Sequence, residues 1–285
     1  MPTRKPVLVV LGVLWGCGRT ELHGFGPRDG DGSDLPGAPV DCDKVDFLFV
    51  IDNSGSMGNY QEHLVGNFGV FTEGVERVVE GNTDLHVGVT TSEVYAGTKG
   101  ECHQLGGLID DTSPSGRACG PFSGGHYMTN EDDIESGFEC AAKVGTQGGE
   151  IERPMDALVA AIDGSGDAAQ CNAGFLRPDA LLVAVVVTDE WDGPGDPEGE
   201  GSWTTPDLWS LGLLSTKGSD QGYVLVGLLN EERGQCGSNR AEDDGHVLAE
   251  FIESQPFGFV GSICSDYSET FANAVDVVAA ACAGE

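Results

Sequence analysis

The chain has 285 residues, 39% of them hydrophobic and 21% charged, ample for one large buried core. Asp and Glu number 47 against 14 Lys plus Arg, a formal charge of −33, so nucleic acid would be repelled rather than steered in. The same surplus makes a solvated, self-repelling surface; capture of divalent cations needs a built site in addition.

Near the amino terminus, Arg4 and Lys5 precede the apolar run Val7 to Trp15, too short to span a bilayer but the length of a signal-peptide core. The run leads into Leu14, Trp15, Gly16 and Cys17, which resembles the lipobox of bacterial lipoproteins, although Trp15 is bulkier than that pattern prefers. The resemblance implies a signal peptide over 1–16, lipidation of Cys17, and an exported cell-envelope lipoprotein, periplasmic or on the outer-membrane surface. Contact with membrane is then through the lipid anchor only. Residues 17–41 carry Gly24, Gly26, Pro27, Gly30, Gly32 and Pro36 with few apolar side chains, the composition of a flexible tether. Within it Asp29, Asp31, Ser33 and Asp34 are spaced somewhat like a calcium loop but lack its closing Glu, so a solvated linker is the reading.

The cysteines lie at 17, 42, 102, 119, 140, 171, 236, 264 and 282. Setting Cys17 aside leaves an even number in an exported chain, which predicts four disulfides. Eight cysteines allow 105 pairings. Cys42, before the first strand, and Cys282, at the end of the last helix, make a bridge clasping the two ends the preferred pair. No C-x-x-C occurs, which argues against a zinc ribbon or a thioredoxin-like dithiol.

From Val45 onward, short β-branched runs alternate with helical stretches, predicting an α/β fold: a doubly wound, mostly parallel central sheet with helices on both faces. Expected strands are Val45 to Ile51, Leu85 to Thr90, Ala180 to Thr188, Val224 to Leu229 and Phe259 to Ile263. Expected helices are Tyr60 to Val79, Asp132 to Val144, Met155 to Ile162, Pro206 to Leu214, Asp243 to Ser254 and Ser268 to Ala281. The segment Tyr95 to Thr129 has neither periodicity, and an irregular loop of that length is usually functional or stapled. One domain over 42–285 is the expected organisation.

The string Asp46-Phe-Leu-Phe-Val-Ile-Asp52-Asn-Ser54-Gly-Ser56-Met57 is a buried strand ending in D-x-S-x-S before a helix. Ligands of open α/β sheets bind beyond the carboxyl ends of the strands, where this motif falls. One carboxylate and two hydroxyls, all hard oxygen donors, suit Mg²⁺, with Mn²⁺ or Ca²⁺ as alternatives. The metal-free reading is a capped helix start.

The string resembles the metal-ion-dependent adhesion site of von Willebrand factor A (vWA) domains, and the likeness extends from Cys42 to Cys282. The resemblance implies a vWA/Rossmann-like fold of bacterial lipoprotein type, with Ser54 and Ser56 binding the metal and Asp52 acting directly or through water. It also implies a second Asp at the end of a later strand, which Leu181-Leu-Val-Ala-Val-Val-Val-Thr-Asp189 supplies as Asp189. The family's usual Thr is missing from Gly148-Gly149-Glu150-Ile151-Glu152-Arg153-Pro154-Met155, and Glu152 is the candidate for its place. Three carboxylates would over-neutralise a divalent ion and weaken its pull on an acidic ligand; Glu152 is equally readable as a first-turn acid facing the helix dipole. Beyond Asp189, the acidic stretch through Glu190, Asp192, Asp196, Glu198 and Glu200 reads as a flexible solvated loop.

No Ser has a Gly two residues before it, and neither a phosphate-binding G-x-x-x-x-G-K-[ST] loop nor H-E-x-x-H occurs, so the main enzymatic signatures of such topologies are missing. His103 and His126, near Cys102, suggest a disulfide with surface histidines rather than a transition-metal site. The expectation is a binding or adhesion module, not an enzyme, that takes a protein or acidic-glycan ligand through Mg²⁺. The alternatives are a structural envelope protein with a stabilising metal and a metal-dependent hydrolase.

Overall fold

From Phe47 to Ile51 the run is apolar on both faces, which suits the middle of a helix-covered sheet. In the computed structural model it belongs to β1 (Asp41–Ile51). Val45, Phe47, Phe49 and Ile51 enter one core, whereas Leu48 and Val50 enter a second core on the opposite face. The structure describes residues 41–78, 83–112, 117–149, 151–190, 192, 201–230 and 246–284. The signal peptide, Cys17, nearly all of the tether, Cys236 and the acidic positions 196, 198 and 200 fall outside them.

After β1 come α1 (Gly58–Val78), β2 (Asp84–Thr91) and three two-residue strands, β3 (Asp111–Thr112), β4 (Arg117–Ala118) and β5 (Met128–Thr129). Then follow α2 (Ile134–Ala142), α3 (Pro154–Ile162), β6 (Ala180–Thr188), α4 (Pro206–Lys217), β7 (Tyr223–Leu229), α5 (His246–Glu253), β8 (Gly258–Ser262) and α6 (Tyr267–Ala283). The main sheet has the order β5-β2-β1-β6-β7-β8, while β3 and β4 form a separate pair.

This corrects the expected doubly wound, mostly parallel vWA/Rossmann-like sheet. The sheet is mixed: β1, β2, β6, β7 and β8 pair parallel, but β5 runs antiparallel to β2 through His86–Thr129 and Val87–Met128. The physical reason is the long Tyr95 to Thr129 segment, which returns along the β2 edge and buries Met128. Two residues are too few to show a period.

Leu64, Phe68, Phe71 and Val75 of α1, Phe138 of α2, and Phe271, Ala274 and Val278 of α6 fill the first core. Phe68 stacks on Phe138 with centroids 3.7 Å apart, and Phe71 on Phe271 at 4.7 Å. Leu158 and Ile162 of α3, Trp209 and Leu213 of α4, and Leu248 and Ile252 of α5 fill the second. Burial of these side chains is the main force ordering the sheet, at about 1.5–3 kcal/mol for each large one.

Cys42–Cys282 joins β1 to the end of α6 across 240 residues of sequence, the clasp expected from the order of the cysteines. Cys102–Cys171 and Cys119–Cys140 staple the long irregular segment to the rest of the fold, and Cys264 is disulfide-bonded as well. Bridges of this density belong to oxidising compartments, so the chain is an exported one. Among the described residues no helix is long and apolar enough to cross a membrane.

Candidate metal centre

The carboxyl ends of β1 and β6 lie side by side, locked in register up to Ile51–Val187 and by the Asp52 N–H donating to Val187 O at 2.9 Å. The chain leaves β1 toward α1 on one face and β6 toward α4 on the other. Connections that part to opposite faces open a crevice between adjacent strand ends, the ordinary place for a ligand in such sheets. Asp52 to Ser56 and Thr188 to Glu190 line it.

Asp52 is wholly buried. Its Oδ1 accepts the Ser54 N–H at 2.7 Å, and its Oδ2 accepts the Thr188 hydroxyl at 2.7 Å. The Ser54 and Ser56 hydroxyls are 3.2 Å apart, and Ser56 Oγ donates to Asp189 Oδ1 at 2.9 Å. Asp52, Ser54, Ser56 and Asp189 are thus one connected group. Ser54 is buried, Ser56 exposed and Asp189 half-buried, so the group runs from the interior to solvent.

Glu152 is brought near but joined differently. It is 1% exposed, and its Oε2 accepts the hydroxyl of Ser92 just beyond β2, while its Oε1 is buried with no hydrogen-bond partner. The neighbouring Glu93 accepts from Asn53 Nδ2 at 3.1 Å and from the Gly149 N–H at 3.1 Å. Gly148 N–H donates to Asn53 O at 2.8 Å, an approach so close that a Cβ at 148 would stand 2.7 Å from that oxygen. Gln61 of α1 completes the frame, donating to Asp52 O and Gly145 O and accepting from the Gly145 N–H.

The electrostatics are one-sided. Burial pushes the Asp52 carboxyl up to about 6 against the donors Thr188 and Ser54, and the Asp189 charge adds to the rise. Burial pushes Glu152 up to about 9, with Asp52, Glu93 and Glu190 all raising it further. Among the described residues, the largest influences on both carboxyls are burial, neutral donors and other carboxylates. Asp192 is also buried and lifted to about 7 by burial, but it serves α3: Oδ2 accepts the Met155 N–H at 2.9 Å and Oδ1 the Ser202 N–H at 2.6 Å.

The oxygens fit a hard cation with one restriction. Asp52, Glu152 and Asp189 do not bring three carboxylate oxygens within 4.8 Å of one another, whereas ligands 2.0–2.1 Å from Mg²⁺ are at most about 4.2 Å apart. The two hydroxyls and part of the carboxylate set are therefore the only direct ligands this arrangement could offer one ion. Among the described residues the one cluster of three His, Cys, Asp or Glu ligand atoms is Cys102, His126 and Cys171, whose sulfurs are bonded to each other.

Sequence reasoning missed Thr188, Ser92, Glu93 and Gln61. Thr188 carries a legible signal, standing next to Asp189 at the end of an apolar strand. The others are single polar residues in unremarked places.

No family model matches the chain, and no curated protein matches it. Similar solved structures include proximal thread matrix protein 1 from the mussel byssus, at 14% identity and TM-score 0.47, covering 86% of this chain and 49% of that one. The pilus adhesin SpaC from Lactobacillus rhamnosus GG, in an open conformation, is similar at 12% identity and TM-score 0.42, with 84% and 30% covered. The PilB minor pilin from Streptococcus sanguinis matches at 12% identity and TM-score 0.41, with 83% and 60% covered. The chain therefore spans less than two thirds of each of these proteins. Scores below 0.5 establish neither a shared family nor a shared activity. The vWA lipoprotein membership implied by the D-x-S-x-S string is corrected accordingly: no family model matches, and the chain is not assigned to that family.

Proposed function

We propose that this exported chain is a cation-dependent binding module. It holds one divalent ion, Mg²⁺ or Mn²⁺ by the hardness of its donors, at the carboxyl ends of β1 and β6. The observation that carries the reading is the cluster itself: the buried Asp52 carboxylate, the Ser54 and Ser56 hydroxyls and the Asp189 carboxylate joined in one hydrogen-bonded group at the adjacent ends of β1 and β6, with the buried Glu152 beside them. Buried charge of this kind is ordinarily paired or metal-bound.

In this reading Ser54 and Ser56 are direct ligands, Asp52 and Asp189 anchor the ion directly or through water, and Thr188 orients Asp52. Exposed Ser56 marks the side from which a partner's oxygen, from a protein or a glycan, completes the coordination. The ion supplies a fixed positive charge at that opening. The lipid anchor at Cys17 would hold the module at a membrane.

Calorimetry on the purified, oxidised chain should show uptake of one Mn²⁺ or Mg²⁺ per chain, weakened at least about 100-fold in Ser54→Ala/Ser56→Ala. No uptake at millimolar ion would sink the proposal.

A second reading, a purely stabilising ion, is favoured by one observation: the partnerless Oε1 of Glu152 is an internal oxygen able to fill the position a partner needs. Chelator that lowers the melting temperature but leaves partner capture intact would select it.

A further inference from the structure

Helix α4 is apolar on both sides. Trp209 and Leu213 are buried in the second core, and Gly212 lets the helix lie so close to α3 that a Cβ there would stand 2.7 Å from Val159. Leu208, Leu211 and Leu214 are turned outward, 50%, 60% and 40% exposed, and Trp203 just ahead of the helix is more exposed still. Spaced three residues apart, the leucines form one stripe. Among the described residues, four of the seven exposed large apolar side chains thus fall between positions 203 and 214. A helix that is apolar all round belongs in an interior, and a grouped apolar surface marks an interaction site.

Charge and area point to what covers the stripe. From Gly201 to Gly222 the sole basic residue is Lys217, and it is buried, its ammonium donating to the Arg177 and Ala180 carbonyls. Asp207 in the first turn of α4 and Asp220 just past its end are exposed, in a chain of net charge −33. A second copy would bring like charge to like. It would also find too little surface. Twelve residues make a face about 18 Å long and about 10 Å wide, roughly 180 Å² against about 800 Å² per partner in a stable protein interface. A face of that size matches one helix laid along another.

We propose that the outer face of α4 is a docking surface for an amphipathic helix of a partner protein, with apolar side chains that pack on Leu208, Leu211 and Leu214 and flanks that carry Lys or Arg. Burial of the leucines supplies the attraction, and the acidic surround steers and selects a basic partner. The surface is independent of the cation centre, and capture needs no Mg²⁺.

The probe is a synthetic helical peptide with one leucine face and lysines elsewhere, titrated into the oxidised chain and read by fluorescence anisotropy, with a leucine–glutamate peptide beside it. The lysine peptide should bind, less tightly as salt rises. Leu208→Gln/Leu211→Gln should weaken it at least about tenfold at unchanged melting temperature, since Gln keeps the helix propensity of Leu. Val70→Gln, at an exposed apolar residue of α1, should change affinity less than about threefold. Retained affinity in the α4 variant, an equal loss in Val70→Gln, or equal binding of the glutamate peptide overturns the inference. A lower melting temperature in the α4 variant shows the leucines covered within the chain and overturns it too. Self-association in sedimentation that the variant abolishes assigns the stripe to a second copy, and capture of phosphatidylcholine vesicles lost in the variant assigns it to a membrane surface; either result overturns it as well.

Discussion

The two ends of the central sheet treat buried acids in opposite ways. At the amino end, Asp46 at the start of the apolar run is wholly buried, and Arg177 meets it twice: backbone N–H to Oδ2 at 2.7 Å and Nε to Oδ1 at 2.8 Å. The same guanidinium pairs with Asp84 at 2.7 Å, Lys44 pairs with Asp179, and Lys217 donates to the Arg177 and Ala180 carbonyls. Burial still raises Asp46, but the hydrogen bonds and charge of Arg177 pull it back. At the carboxyl end the donors to Asp52 and Glu152 are neutral, and burial lifts both carboxyls far above the ordinary range. The lesson is that Asp46 has its counter-charge in Arg177, whereas Asp52 and Glu152 are held by neutral donors, which is the difference the proposed cation would exploit.

The largest expected effect tests the self-sufficient pole. Arg177→Met keeps the apolar stem but strands the Asp46 charge in the interior, and breaking a buried pair from one side costs about 3–5 kcal/mol. Urea unfolding with the disulfides intact should show that loss whether or not Mg²⁺ is present. A loss below about 1 kcal/mol would break the comparison, since Asp46 would then not depend on its cation.

The second prediction concerns the other pole and has the opposite sign. Asp52, Asp192 and Glu152 hold folded-state values of about 6, 7 and 9, above their ordinary ones. The folded chain therefore binds more protons than the unfolded one between roughly pH 4 and pH 9, and ion-free stability falls as pH rises through those values. A tenfold change in how tightly a carboxyl holds its proton is worth about 1.4 kcal/mol. Asp52→Asn should remove the step near pH 6 and leave the ion-free protein more stable at pH 8 by roughly 1–3 kcal/mol, while abolishing Mg²⁺ uptake. Saturating Mg²⁺ should flatten the wild-type curve. An Asp52→Asn protein less stable than wild type at pH 8 without ion would show that the carboxylate is already compensated.

The contrast also marks how far the residues alone could be read. The runs Phe47 to Ile51 of β1 and Leu181 to Val187 of β6 announce a buried sheet because each of their side chains is hydrophobic, and Asp52 and Asp189 beyond them fall together because parallel neighbours end on one edge. The order of Cys42 and Cys282 foretold the clasp. By contrast, β5 is set by tertiary pairing of two residues, and the mixed character of the sheet follows from it. Glu152 was legible as an acid near the site, but its burial against Ser92 was not, since β2 and the turn before α3 meet only in the fold. Arg177 lies 131 residues from Asp46, and no local pattern links them.

The smallest expected effect sharpens the comparison within the second pole. Thr188 is the neutral stand-in there for what Arg177 does at the other end: its hydroxyl donates to Asp52 Oδ2 at 2.7 Å and accepts the Glu190 N–H at 3.0 Å. Thr188→Val keeps the shape of the buried strand end and deletes both bonds, for about 1–2 kcal/mol. Because the lost donor favoured the charged form of Asp52, the carboxyl should rise further and the pH step near 6 should move upward. Mg²⁺ should restore most of the stability in the variant, since an ion compensates the same charge more strongly than a hydroxyl does. If Mg²⁺ restores nothing, Thr188 is merely a strand-end fixture and the charge at Asp52 is not what the ion meets.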